Sequence, residues 1–319
     1  MADRELLCPC GSTDYSPLFK GTWSIARVKH PLDFKVLKCN KCGLARTYPV
    51  PYEGNITTYE SPEWALDAIE TATRRNRYIF RSISSEMLKE VEREKKDGRL
   101  LDVGCGVGNL LDLARNNDWD TYGVELSETY CDYTNSIGLK VVNSTLTDAG
   151  FEEGFFDAIS MIHVLEHIPE PLELLNEARR VLKQDGVLVV DTPDIGTITA
   201  RLQKEHYISL DPDCHIWQFT PATLKELIAR AGFKPIRVVR HSRGWRYWKT
   251  LSILNDPELG ISRVRGSFHI PLRVYGFFHR RSHEVLGKIA VAIIKAASRP
   301  LFRSGICGDS VCLVAKKDW

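Results

Sequence analysis

The stretch Leu100-Leu101-Asp102-Val103-Gly104-Cys105-Gly106-Val107-Gly108-Asn109-Leu110 decides the fold. Apolar Leu100, Leu101 and Val103 suit a strand covered on both faces, as in a parallel sheet with helices on either side. Gly104, Gly106 and Gly108 then stand at alternate positions, where the missing Cβ lets the backbone turn tightly and approach a ligand. A helix beginning near Gly108 points its positive N-terminal end into the same space. Taken alone, Gly-x-Gly-x-Gly leaves a phosphate loop or a dinucleotide site open. The spacing nevertheless departs from Gly-x-Gly-x-x-Gly, and no Gly-Lys-Ser/Thr ending follows it. Asp102 stands at the carboxyl end of the strand, beside the turn. The next strand, Thr121-Tyr122-Gly123-Val124, ends in Glu125, placed to accept both hydroxyls of a ribose. Open parallel sheets gather ligand-binding groups along that edge.

Composition bounds the rest. The 319 residues are enough for one large domain or two smaller ones, and 43 Lys and Arg against 41 Asp and Glu leave the chain close to neutral. From Arg240 onward, however, basic residues outnumber acidic ones, which points to an anionic partner. The first residues, Met-Ala-Asp-Arg-Glu, have no apolar core of a signal peptide, and no apolar run is long enough to span a bilayer. Nine cysteines in such a chain read as metal ligands and free thiols, so a cytoplasmic protein is expected, with inner-membrane-face contact left open.

Upstream, Cys8-Pro-Cys10-Gly11 and Cys39-Asn40-Lys41-Cys42-Gly43 are two cysteine turns separated by a β-rich segment. Four thiolates make the tetrahedral soft-ligand set of a closed structural zinc site. Residues 1–50 are therefore read as a zinc ribbon with Cys8, Cys10, Cys39 and Cys42 as ligands. The first turn is Cys-x-Cys, one residue short of the usual spacing, so reduced cysteines without metal stay open. Pro51-Tyr52-Glu53-Gly54 marks a break. Residues 51–97 form a helical linker or cap, in which Tyr59, Trp64 and Arg75 are candidates to face a cleft.

Downstream the pattern alternates strand and helix. A helix over Ser127–Ser136 leads to a strand near Leu139–Val142, and Phe155–Met161 makes a further strand carrying Asp157. His163-Val164-Leu165-Glu166-His167 follows. A helix over Pro171–Leu182 stops at Lys183-Gln184-Asp185-Gly186, before a strand Val187–Val190. His215-Ile216-Trp217-Gln218-Phe219-Thr220 precedes a helix with Thr220 as N-cap and Pro221 at its first position. That helix ends at Ala231-Gly232-Phe233, and Pro235–Arg240 is a strand.

With these segments in place, the chain resembles the class I S-adenosylmethionine-dependent methyltransferases. The glycine turn matches their first motif, Glu125 their acidic residue after the second strand, and "VLEH" a segment of small-molecule methyltransferases that include the ubiquinone-pathway O-methyltransferases. The resemblance implies a doubly wound, seven-stranded Rossmann-like α/β sheet whose last strand, near 309–317, is antiparallel. The methyltransferase domain would run over 98–319, with 241–308 as a helical insertion. It implies S-adenosylmethionine bound by Asp102, Gly104, Cys105, Gly106, Gly108, Asn109, Glu125 and Leu126. Thr145 and Leu146 would lie at the adenine, and His163 at the methionine end. His215 is the first choice for a general base and His163 and His167 are second choices, since an imidazole suits deprotonation of a hydroxyl near neutral pH. Deoxysugar C-methyltransferases, which also carry four N-terminal cysteines, read Tyr-Asp-Glu-His at this place; Pro212 stands here for the Tyr, which favours oxygen over carbon as the methylated atom. No Asp/Glu/His cluster with ligand spacing is seen beyond the fourth strand, so the sequence gives no support for a catalytic metal.

The expected acceptor is a small molecule or a glycan, lipid-linked or phosphorylated forms included. The insertion interleaves Trp245, Tyr247, Trp248, Phe268 and Tyr275 with Arg and Lys, then offers an apolar helix over 285–295. It reads as a lid, as a peripheral membrane contact, or as a nucleic-acid surface. An RNA methyltransferase with a zinc-binding recognition domain, and a non-catalytic S-adenosylmethionine-binding scaffold, are the alternatives.

Overall fold

A computed structural model describes residues 7–23, 32–51, 65–66, 69–70, 77–241 and 310–318. Near the amino terminus β1 (Tyr15–Trp23), β2 (Leu32–Cys39) and β3 (Ala45–Tyr48) form an antiparallel meander. Helix α1 (Arg77–Glu92) then leads into β4 (Gly98–Val103), α2 (Asn109–Arg115), β5 (Trp119–Glu125), α3 (Glu128–Ser136) and β6 (Lys140–Asn143). The chain continues through β7 (Phe156–Ile162), α4 (Pro171–Val181), β8 (Leu182–Pro193) and α5 (Ile198–Gln203). It closes with β9 (Trp217–Gln218), α6 (Pro221–Arg230), β10 (Phe233–His241) and β11 (Ser310–Lys317).

The large sheet has the order β10-β11-β8-β7-β4-β5-β6. Its five strands β8, β7, β4, β5 and β6 run parallel, and β11 pairs antiparallel with both β8 and β10. This is the doubly wound sheet expected, with its last strand antiparallel. The central strand shows why the sequence takes this form. Leu101 and Val103 pack into one buried cluster, with Ile159, Met161, Leu188 and Val190. Leu100 packs into the other, against Met87, Leu88 and Val91 of α1 and Leu110 and Leu111 of α2. Alternate residues of β4 thus face opposite layers, and each buried aliphatic side chain contributes about 1.5–3 kcal/mol.

Local signals fix the boundaries. Ser127 caps α3, its hydroxyl accepting from the Tyr130 N–H. Thr220 and Thr223 form a reciprocal capping box at α6, and Pro221 occupies the first turn. Strand β8 is longer than the expected Val187–Val190: it starts directly after α4, at Leu182, and slips register against β7 between Phe156 and Ala158. The slip is held by Asp157, which accepts 2.8 Å bonds from Lys183 Nζ and a 2.9 Å bond from the Arg99 N–H.

The small sheet is not confined to the first fifty residues. Its order is β1-β2-β3-β9, and the fourth strand comes from far along the chain, with Arg46 opposite Trp217. The Thr47 hydroxyl donates to the His215 carbonyl at 2.7 Å, and the Thr47 N–H to the Ile216 carbonyl at 2.9 Å. Arg46 lies over the Trp217 ring, whose indole N–H donates to the Ile168 carbonyl. The insertion 241–308, its apolar helix, and Tyr59, Trp64 and Arg75 lie outside the described residues, apart from His241 at the end of β10. Among the described residues no helix is long and apolar enough to cross a membrane.

Candidate active site

The glycine turn sits at the carboxyl edge of the large sheet. Gly104, Gly106 and Gly108 all have positive φ, which an L side chain rarely adopts. A Cβ on Gly106 would meet nothing within 4 Å, so the turn borders open space at this point. A Cβ on Gly104 would instead come within 2.8 Å of Val164 Cγ2, which shows that the turn and the segment after β7 lie against each other. Asn109 opens α2 directly behind the turn.

Glu125 ties this cradle together. One carboxylate oxygen accepts from the Gly106 N–H at 2.8 Å; the other accepts from the Leu126 and Ser127 N–H groups at 2.9 and 3.0 Å. Leu126 projects outward, 52% exposed, beside it. Asn143, which sequence reasoning missed, donates to the carbonyls of Glu125 and Leu126 and so fixes the turn from β6. Three expected contact residues are placed less directly. Asp102 is buried beneath the turn, where burial lifts its carboxyl to about 7 against the opposing 2.6 Å bond from Ser160 Oγ. Cys105 is buried in the core with Leu111 and Cys131, and burial raises its thiol well above the ordinary range. Leu146 is likewise a core residue, while the Thr145 hydroxyl donates to Asp148 at 2.7 Å.

These residues suit S-adenosylmethionine on two observations. The open space over Gly106 admits a ligand at backbone distance, and Glu125 presents an oriented carboxylate to that space. A carboxylate is the acceptor for paired ribose hydroxyls, and charge-assisted bonds of this kind are the strong ones.

His163 stands at the end of β7, against this turn. Its φ of 57° is left-handed, a conformation uncommon for a non-glycine residue, and its N–H donates to the Asp191 carbonyl at 2.8 Å. The side chain is 31% exposed and set between two buried carboxylates: Nδ1 is 2.9 Å from Glu166 Oε1, and Nε2 is 3.6 Å from Asp191 Oδ2. Thr192 Oγ1 donates to the other Glu166 oxygen at 3.0 Å. Glu166 lies in the "VLEH" segment, but nothing in the sequence marks Asp191 and Thr192 as its companions.

His167 and His215, the expected bases, meet edge to face, with ring centroids 4.6 Å apart. His215 is 6% exposed. Burial and the neighbouring His215 lower the His167 pKa to about 4, so its ring is neutral at physiological pH.

The four cysteines of the ribbon converge, their sulfurs all within 4.8 Å of one another. Cys8 and Cys42 are 3.5 Å apart, Cys10 and Cys39 3.6 Å. The edge of a tetrahedral zinc–thiolate site is close to these values, about 3.8 Å for Zn–S bonds of about 2.3 Å. Burial pushes the Cys8 and Cys42 thiols up, while at Cys39 burial is outweighed by the N–H groups of Cys42 and Lys41, with the neighbouring thiols, and the pKa comes down. The short Cys-x-Cys turn therefore does not stop Cys8 and Cys10 from reaching the other pair, and the cluster is compatible with zinc.

Comparison with known proteins agrees with this geometry. The family model described as "Methyltransferase domain" matches residues 74–238. The protein MJ0638 of Methanocaldococcus jannaschii is 37% identical over 112 residues, covering 35% of this chain and 47% of that protein, under half its length. A ubiquinone biosynthesis O-methyltransferase of Cereibacter sphaeroides is 27% identical over 207 residues, covering 60% of this chain and 82% of that one. Phosphoethanolamine N-methyltransferase 2 of Haemonchus contortus, solved with S-adenosyl-L-methionine, has the same fold at 15% identity and a TM-score of 0.51, covering 78% of this chain and 60% of that one. A chain from the complex of the Haloferax volcanii Trm112 methyltransferase activator with its methyltransferase also scores 0.51, at 14% identity, covering 81% of this chain and 97% of that one.

Proposed function

Because this chain belongs to the methyltransferase domain family, we propose that it methylates a hydroxyl of a small-molecule or glycan acceptor, with His163 as the base. S-adenosylmethionine, when bound, supplies a methyl group already activated on a sulfonium centre. What remains for the protein is to hold the acceptor oxygen in line, exclude water and take the hydroxyl proton.

The observation that carries this reading is His163 itself, a partly exposed imidazole beside the glycine turn with a buried carboxylate on either side. With Nδ1–H donating to Glu166, Nε2 is the basic nitrogen. The proton of the acceptor O–H passes to Nε2, and the imidazolium so formed is stabilised by Glu166 and Asp191. This arrangement supports His163 as the base over His215, whose ring is buried against His167. The kinship with ubiquinone O-methyltransferases supports oxygen as the methylated atom. On this reading Glu125 and the glycine turn hold the cofactor, and the ribbon 1–50 is a structural zinc unit bordering a methyltransferase domain over 98–319.

Calorimetry with S-adenosylmethionine, followed by transfer of labelled methyl to phenols and nucleotide sugars, tests the reading. Glu125→Ala is expected to weaken cofactor binding by about 1.5–3 kcal/mol, on the order of 10- to 150-fold. His163→Gln should leave binding intact and lower kcat by about 10²–10⁴, with loss of the acidic limb of the pH profile. Unchanged turnover in His163→Gln would remove the base assignment; methyl accepted only by nitrogen or carbon would remove O-methylation.

A further inference from the structure

A second group of metal-ligand side chains lies beyond the ribbon. His167, Cys214 and His215 each bring one ligand atom to a point where all three are within 4.8 Å of one another, as the four ribbon thiols are. Cys214 and His215 are buried, and His167 is half-buried. We propose that these three residues form a second metal site, a His₂Cys set for a borderline-soft divalent ion, zinc first.

The backbone around them is arranged as a metal's surroundings are. His167 Nδ1 lies 3.2 Å from the Cys214 carbonyl, and His215 Nδ1 lies 3.2 Å from the Ser209 carbonyl. A carbonyl only accepts, so each Nδ1 carries the proton, and the lone pair of each ring is on Nε2. Metal-bound imidazoles are held in this way, the far nitrogen donating to a carbonyl that fixes the tautomer and turns the ring. Cys214 sits on a tight turn made by Asp211, whose φ of 39° is left-handed and whose carbonyl accepts from the N–H groups of both Cys214 and His215. That turn is what aims two successive side chains at His167, 47 residues earlier in the chain. Two neutral imidazoles and one thiolate suit zinc, and three protein ligands leave the fourth tetrahedral position for an oxygen ligand, as in catalytic rather than structural sites. Ligand bonds of about 2.0–2.3 Å set neighbouring ligand atoms roughly 3.3–3.8 Å apart, inside the 4.8 Å within which these three atoms lie. His163 and His167 stand at opposite ends of the same short turn, Val164–Leu165–Glu166 between them, so the open position lies one turn from the base.

The proposal is independent of the methyl-transfer reading, because its readout is metal content and ligand type. The full chain is loaded with zinc, freed of excess and assayed by elemental mass spectrometry, and the apoprotein is titrated with cobalt(II) followed by absorption. Two zinc ions per chain are expected, falling to one in Cys214→Ala and in His167→Gln, and to one, the other site, in Cys39→Ser. Cobalt should give two sets of bands, one with four-thiolate intensity and one with a single thiolate. A stoichiometry of one that Cys214→Ala leaves unchanged overturns the proposal. Where a variant loses its circular dichroism and hence its fold, X-ray absorption of the zinc-loaded unaltered chain decides. Five sulfurs and two ring nitrogens over two ions support the site; four sulfurs without nitrogen overturn it.

Discussion

Asp102 shows how burial and charge are balanced under the glycine turn. Its carboxyl is held at about 7, mainly by burial, against an ordinary value of about 3.9. The folded chain therefore keeps a proton that the unfolded chain has lost between these values. The stabilisation from that proton is full below about pH 4 and is lost as pH rises through 7. Asp102→Asn keeps the shape but removes the titration, so its stability relative to the unaltered chain should rise by about 1–3 kcal/mol between pH 5 and 7.5. Urea midpoints at the two pH values check this, and a constant difference would contradict it. At this scale the sequence was partly readable. Glu125 and the glycines announce themselves by order along the chain, and the structure sets them around one open space. The Glu166–His163–Asp191 arrangement and the His167–Cys214–His215 group do not, because their members meet only through strand order and through the left-handed residues His163 and Asp211. Histidine and aspartate enter the left-handed region more readily than most residues, but only in a small minority of cases, so the sequence does not mark where they do so.

Elements carry their own instructions more openly. The capping residues Ser127 and Thr220 and the stop at Gly232 are local signals, and α3 and α6 begin where those signals place them. Thr220→Ala, which removes one half of the box and leaves the Thr223 N–H without its side-chain acceptor, should cost about 0.5–2 kcal/mol of stability. Thermal unfolding measures it, and Thr220→Asp should retain most of the stability because its carboxylate also caps. The pairing of elements was legible only where patterns repeat. Strands buried on both faces gave the parallel sheet away, whereas β9, two residues long, has no pattern of its own. Its place at the edge of the ribbon sheet depends on Thr47 and Gln218 meeting in three dimensions, with Gln218 Nε2 donating to the Leu210 carbonyl and to Thr47.

Across the whole molecule, the ribbon and the methyltransferase sheet are joined through residues 215–218, the same short stretch that holds His215. Loss of the cysteine cluster should therefore be felt there. Cys39→Ser is expected to raise hydrogen exchange at Thr47 and at 216–218 by at least tenfold, while β4 and β7 keep their protection. Exchange measured by mass spectrometry checks this; equal protection at 216–218 would mean that the ribbon sheet holds without its cysteine cluster. The joint also has a consequence for how the protein is made. On a ribosome the first three strands of the small sheet leave the tunnel early, but 168 residues separate Thr47 from the His215 carbonyl it binds. At roughly 5–20 residues per second the open edge of β3 then waits on the order of ten to thirty seconds for its partner. An unpaired strand edge is a template for pairing with other chains. The four cysteines of the cluster all lie between Cys8 and Cys42, so the cluster can close during that interval. How well the early small sheet holds together during that interval would then help set how much of the newborn chain reaches the folded state.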